Sequence, residues 1–160
     1  GQGISAAVGM ALSAKLSNDS YRVFTLMGDG EIQEGQVWEA AMFAQARKID
    51  NLIAFVDYNG QQIDGSIKEV MNLTKLREKW EAFNWIVLEC NGHDYAELIA
   101  TINEAKNRSG KEQPIMIIMK TEMGKGVDFM MGSHKWHGVA PNDEQLSNAL
   151  AQLNETLGDY

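Results

Sequence analysis

Two short polar runs in this 160-residue chain carry the residue types needed to hold an anion and a cation side by side. Gly28-Asp29-Gly30 comes straight after the apolar run Val23-Phe24-Thr25-Leu26-Met27, and Asn59 stands 31 positions beyond Gly28, just past the apolar run Leu52 to Val56. Glycine has no Cβ, so at Gly28 and Gly30 the backbone can come close to a diphosphate and aim its N–H groups at it. A diphosphate calls for a hard cation, and a hard cation calls for oxygen. Magnesium takes six oxygens at about 2.0–2.1 Å, usually one or two carboxylates with water and phosphate oxygens. Asp29 offers a carboxylate oxygen, Asn59 an amide oxygen, and Gln61, two residues further on, a backbone carbonyl. Two diphosphate oxygens and a water would complete the set. Gly-Asp-Gly is also an ordinary turn, so the triplet alone decides nothing.

For Asp29 and Asn59 to meet, the segment between them must return the chain to the same edge. Val37, Ala40, Ala41, Ala44 and Ile49 recur at three- and four-residue spacings, the period of a helix. The unit therefore reads strand, turn, helix, strand, with both polar groups at the carboxyl ends of parallel strands, where α/β sheets bind ligands. Upstream, Ile4, Ala7, Val8, Ala11, Leu12 and Leu16 give a small-residue helix, ended by Asn18-Asp19-Ser20, and residues 22–27 give a strand. Downstream, 73–83 reads as a helix, 85–88 as a strand, 95–106 as a helix, 114–120 as a strand and 142–157 as a helix with a Pro-Asn-Asp-Glu start signal. Gly60 to Gly65 is a turn-rich connection without helical period. Alternation of this kind predicts an α/β fold, a parallel sheet with helices on both faces, in a single domain over residues 1–160.

The bulk composition narrows the classes. Hydrophobic residues make up 44% of the chain, enough for a globular core. A net charge of −8 argues against nucleic acid or an anionic membrane as partner. A phosphorylated ligand must then be held by local features rather than by the overall field. The single cysteine, Cys90, excludes an internal disulfide, suits a reducing cytoplasm and reads as a small core residue. No run approaches the ~20 apolar residues of a membrane span, and no charged-then-apolar leader opens the chain.

Other polar residues have two readings each. Glu31 and Glu34 suit the first turn of a helix through its dipole. Gly92-His93-Asp94 could be a His–Asp catalytic pair, or a loop in which Asp94 caps the next helix. Residues 121–141 form a long Gly- and Met-rich segment, and a loop of that length in a compact domain is usually functional. It carries His134 and His137, either of which could bond a phosphate oxygen or move a proton near neutral pH, and Lys125, a phosphate contact or a solvated charge.

The wider text, GDGEIQEGQVWEAA, DNLIAFVDYNGQQIDG, KTEMGKGV and WHGVAPNDEQ, resembles transketolase, and most of all the N-terminal, diphosphate-binding subunit of the split bacterial form. The resemblance runs from GQGISAAVGMAL to the helix after Pro141. It implies the thiamine diphosphate-binding fold, with Gly28, Asp29, Gly30, Asn59 and Gln61 at the diphosphate and its metal. That metal would be magnesium, with calcium or manganese as substitutes. It places Ile63 against the thiazolium end, where ordinary core is the other reading, and His137 near the diphosphate and reaction centre. It puts Glu34 and Glu39 at a subunit interface linking two cofactor sites; Glu31 is read as surface. It implies transfer of a two-carbon ketol unit from a ketose phosphate to an aldose phosphate, with His137 and Glu34 in catalytic roles. The partner it implies is a complementary pyrimidine-binding subunit, the assembly a homodimer or heterotetramer. The chain opens at Gly1 inside the matching text, so it is expected to be truncated at its N-terminus, to lack the pyrimidine-binding domain and to be inactive alone. Deoxyxylulose phosphate synthase and the 2-oxo acid dehydrogenases share GDG…N without the longer matches, and a binding module that kept the fold but lost catalysis is the remaining alternative.

Overall fold

The computed structural model describes residues 1–154. Its centre is a four-stranded parallel sheet of β1 (Val23–Gly28), β2 (Leu52–Tyr58), β5 (Ile86–Asn91) and β6 (Ile115–Lys120), in the order β1-β2-β6-β5. The strands are apolar because the two inner ones, β2 and β6, are buried on both faces. Leu52, Ala54 and Val56 of β2 point to one layer with Met116 and Ile118 of β6, while Ile53 points to the other with Ile115 and Ile117.

The first layer is thick. Helices α1 (Gly3–Ser17), α2 (Gly35–Ala46) and α4 (Leu76–Ala82) pack there, and Trp38, Trp80 and Trp85 form an aromatic cluster with ring centroids 5.0 Å apart in successive pairs. The Trp85 indole N–H is satisfied by the Ala41 carbonyl at 3.0 Å. The alanines on α1 and α2 that marked small-residue helices are the residues that let both lie close to the sheet: Ala11, Ala14, Ala41 and Ala44 are fully buried. The second layer is thin. Among the described residues α5 (Tyr95–Arg108) is the helix that covers β5 and β6 there, and Phe24 and Leu26 of β1 stand largely exposed on that side. The expected cover on both faces is present but unequal.

Three element readings change. The helix read over 73–83 begins at Leu76, because Thr74 takes positive φ (51°) and the Asn72 side chain accepts its N–H at 2.7 Å. The connection after Asn59 is more ordered than its sequence signals: β3 (Gln61–Gln62) and β4 (Gly65–Ser66) form a minimal antiparallel hairpin, followed by the single turn α3 (Ile67–Val70), capped by Ser66. The last helix, α6 (Asp143–Leu150), has the full Asn142–Gln145 capping box but stops short of the expected end, and Leu157 lies outside the described residues. Among the described residues no helix is long and apolar enough to cross a membrane.

Ile53 is fully buried where β2 meets the thin layer. Ile53→Ala should cost about 2–5 kcal/mol, the usual range for emptying such a site. Urea denaturation reads this directly, and a loss below about 1 kcal/mol would mean that this layer is not packed as described.

Candidate functional site

The register of β1 on β2 builds the site. Gly28 lies opposite Asp57, so the turn after β1 and the turn after β2 leave the sheet side by side. The Asp29 N–H donates to the Asp57 carbonyl at 3.1 Å, which carries the pairing one residue past the strand. Asp29 Oδ2 in turn accepts the Gly60 N–H at 2.6 Å, and the Asn59 side-chain oxygen accepts the Gln61 N–H at 2.9 Å. Both loops are thereby held by their own polar residues.

Around them opens a cavity of about 450 Å³. Gly28, Asp29, Gly30, Asn59, Gln61, Ile63 and His137, all read from the sequence as site residues, line it. His137 arrives from far along the chain, just past a 3₁₀ turn at His134–Trp136. Its neighbours in sequence do not follow it: Lys125 is exposed, and neither it nor His134 lines the cavity. Ile63 is 67% exposed, so the core reading of that residue fails, and an isoleucine side chain stands free at the cavity wall. Glu34 is not brought to the cavity; it is exposed ahead of α2, with Glu39 also exposed on that helix.

Three lining residues were missed: Glu31, Asp57 and Gln62. Glu31, read as surface, is half-buried, lines the cavity and accepts the Gly28 N–H at 3.3 Å. Asp57 lines it too, and also accepts the Thr121 hydroxyl. Asp57 and Asn59 are two apart along one extended run, so they face the same way. That spacing was the available signal for Asp57, hidden by its place inside a strand.

The two glycines of the triplet do different work. A Cβ on Gly30 would fall 2.5 Å from the Gln62 Cβ, so Gly30 is required by the protein's own packing against the hairpin. A Cβ on Gly28 would meet nothing within 4 Å. Gly28 itself lines the cavity, so the protein leaves room there for a ligand's close approach.

The electrostatics are those of a site short of positive charge. Asp29 is only 1% exposed, and burial, with a smaller push from the Asp57 carboxylate, raises its carboxyl to about 6 against the pull of the Gly60, Gly30 and Asn59 N–H groups. A buried carboxylate beside those of Asp57 and Glu31, in a cavity also lined by the Asn59, Gln61 and Gln62 amides, suits a hard divalent cation. Among the described residues no three His, Cys, Asp or Glu side chains converge on one point, so a cation here would take a mixed oxygen set rather than a carboxylate cage.

The family model "Transketolase, thiamine diphosphate binding domain" matches residues 1–158. The chain belongs to this family. It is 44% identical over 155 residues to a 6-deoxy-6-sulfo-D-fructose transketolase subunit of a Clostridium species, covering 97% of this chain and 56% of that one. It is 42% identical over 157 residues to an apulose-4-phosphate transketolase subunit of Phocaeicola vulgatus, covering 98% and 55%. The transketolase structure from Campylobacter jejuni superposes with a TM-score of 0.87 at 35% identity, over 95% of this chain and 24% of that one. The chain thus spans a little over half the length of the two bacterial relatives it matches.

The buried carboxyl has a consequence for stability. Its folded value of about 6 lies above the 3.8 of a free aspartate, so the folded state binds that proton more tightly than the unfolded state does. Its contribution is full below about pH 4 and is lost as pH rises through about 6. Asp29→Asn, which keeps an acceptor for Gly60, should match the parent chain at pH 4 and be more stable at pH 7.5 without divalent ions, by up to about 3 kcal/mol. Chemical denaturation at the two pH values tests this; equal stability at both would remove the burial cost. The glycines give a second test, read from the same denaturation curves. Gly30→Ala should lose about 1–3 kcal/mol through overpacking, whereas Gly28→Ala should stay within about 1 kcal/mol of the parent. A reversed order would mean that Gly28, not Gly30, is the structural glycine.

Proposed function

We propose that this chain is the diphosphate- and metal-holding half of a thiamine diphosphate- and magnesium-dependent transketolase, acting on anionic sugars together with a complementary pyrimidine-binding subunit. The observation that carries the reading is the convergence of Gly28, Asp29, Gly30, Asn59, Gln61, Ile63 and His137 on one cavity at the carboxyl ends of two parallel strands. Family membership and the names of the two bacterial relatives support it, as do the sulfonated and phosphorylated sugars in those names.

Thiamine diphosphate, when bound, supplies a thiazolium carbon that carries a two-carbon ketol unit from a ketose phosphate to an aldose phosphate. The residues of this chain bind and orient. Asp29, the Asn59 side-chain oxygen and the Gln61 carbonyl would hold the cation, magnesium or its substitutes calcium and manganese, and the cation would relieve the charge that burial penalises on Asp29. The bare Cα of Gly28 leaves room for the diphosphate, and Ile63 gives the ring an apolar wall. His137 can donate to a diphosphate oxygen or hold a proton at the reacting sugar oxygen. Glu34 and Glu39, exposed on and ahead of α2, are free to meet a second chain, where the reading places them at the contact between cofactor sites. Such contacts make a dimer or heterotetramer the expected assembly and the chain inactive by itself; the single cysteine suits the cytoplasm as compartment.

Titration calorimetry of thiamine diphosphate tests the proposal, run with and without magnesium, on the parent chain, Asp29→Ala and Gly28→Ala. Binding should require magnesium and fall at least tenfold in both variants, since each removes either a charged ligand or the open approach. No binding even in the presence of the complementary pyrimidine-binding chain, or binding indifferent to Asp29, would end this reading.

A further inference from the structure

The Gly92-His93-Asp94 turn is not used by the site proposed above, and its three residues do unrelated things. Asp94 caps α5, its Oδ1 accepting the Ala96 and Glu97 N–H groups at 2.9 and 3.1 Å. It is committed to the helix and orients nothing on His93. The His93 ring turns the other way: Nε2 accepts the backbone N–H of Glu122 at 2.8 Å. That amide belongs to the start of the 121–141 segment, which later delivers His137.

The contact is part of a clamp across three consecutive residues. The Lys120 carbonyl accepts the Gly92 N–H at 2.9 Å. The Thr121 N–H donates to the Tyr58 carbonyl at 3.2 Å, and its hydroxyl donates to Asp57. Glu122 is then taken by His93. Gly92 must be glycine for the two strand ends to lie this close, since a Cβ there would fall 2.5 Å from Thr121 Cγ2 and 3.1 Å from Met119 Cβ. One residue beyond the clamp, the loop closes on itself: the Met123 carbonyl accepts the Gly132 N–H at 3.1 Å, and the Trp136 indole N–H reaches the Phe129 carbonyl at 2.9 Å. The position of the closed loop is therefore set at its base. Between base and loop lies a second cavity of about 440 Å³, where His93, Glu122, Trp136 and His137 face Asp57 and Asn59.

We infer that His93 is a positioning residue: by accepting the Glu122 N–H it fixes the base of the 121–141 loop and so holds His137 at the cavity shared with Asn59. An acceptor at Nε2 requires the neutral ring to carry its proton on Nδ1. His93 lines the second cavity, but among the described residues the hydrogen bond its ring makes is to the Glu122 N–H, so its effect runs through the loop. The link to cofactor affinity rests on the function proposed above; the link to loop order does not.

Amide hydrogen exchange and ring-nitrogen NMR on the full chain separate the two. The parent should show the Nδ1–H tautomer for His93. His93→Leu, which keeps bulk without an acceptor, should speed exchange at Glu122, Gly132 and His137, about tenfold at Glu122, as loss of one hydrogen bond allows. His93→Gln, with an acceptor of similar reach, should restore most of the protection. The rescue distinguishes a hydrogen-bond role from mere filling of space. An Nε2–H tautomer in the parent, or equal exchange in the leucine variant, would overturn the inference. In magnesium, the leucine variant should also bind thiamine diphosphate about threefold to tenfold more weakly than the glutamine variant. Equal affinity in both, with loop exchange still altered, would overturn the positioning of His137 while leaving the clamp. Absence of binding in the parent even with the complementary chain present would count against the proposed function, and the exchange data would still judge His93.

Discussion

A carboxylate withdrawn from water between the ends of two parallel strands is the constraint on which the site rests. Asp29 can be buried there because the Gly60 N–H comes to within 2.6 Å of it, and Gly60 can come that close because β1 and β2 pair with Gly28 opposite Asp57. A slip of one residue in that register would turn every side chain of a strand to the opposite face and separate the two loops. The hydrophobic layers forbid the slip, since Ile53 and its alternating neighbours have matched partners on each side. Packing that has nothing to do with chemistry thus fixes the spacing of the groups that do. In return the loops leave a carboxyl whose ionisation the fold resists, the kind of uncompensated cost that functional sites tend to carry.

How much of this was legible depends on whether the signal was local. Helices α1 and α2 announced themselves by apolar spacing, α5 by its Asp94 cap, and the strands by short apolar runs between polar turns, so the alternation and the parallel sheet could be read in advance. The Gly28–Gly30 triplet and Asn59 were legible because each sits directly at the end of a strand. Asp57 was not, being one residue inside a strand end and looking like an interruption of it. Glu31 was not, because an acid in a first turn has an adequate explanation in the helix dipole. The β3–β4 hairpin has two residues per strand, too few to show any period, and Ile63 at its tip is apolar without being buried. The unequal cover of the sheet lay in no single segment.

The partner of His93 was out of reach for the same reason. Sequence reading offered the adjacent Asp94, whereas the structure chooses a backbone N–H 29 residues away. Backbone groups leave no mark in a sequence, and only the packing of β5 against β6 brings this one near. Gly92 carries the sole trace of the approach, through a side chain it could not accommodate. The three glycines at these turns thus fall into two kinds. Gly30 and Gly92 are dictated by neighbouring atoms of the protein itself, and Gly28 by open space.

The tryptophans are divided in a way that gives the molecule two optical environments. Trp38, Trp80 and Trp85 share one tilted and edge-on cluster in the thick layer, with Trp80 and Trp85 almost wholly shielded from solvent. Trp136, the only other one, stands at the wall of the second cavity beside His137, its indole bonded within the loop rather than to the sheet. An indole responds to the polarity at its edge while its ring remains packed. Fluorescence from the cluster therefore reports the integrity of the core, and fluorescence from Trp136 reports the seating of a single loop, so that the two can change independently in one sample without any label being added.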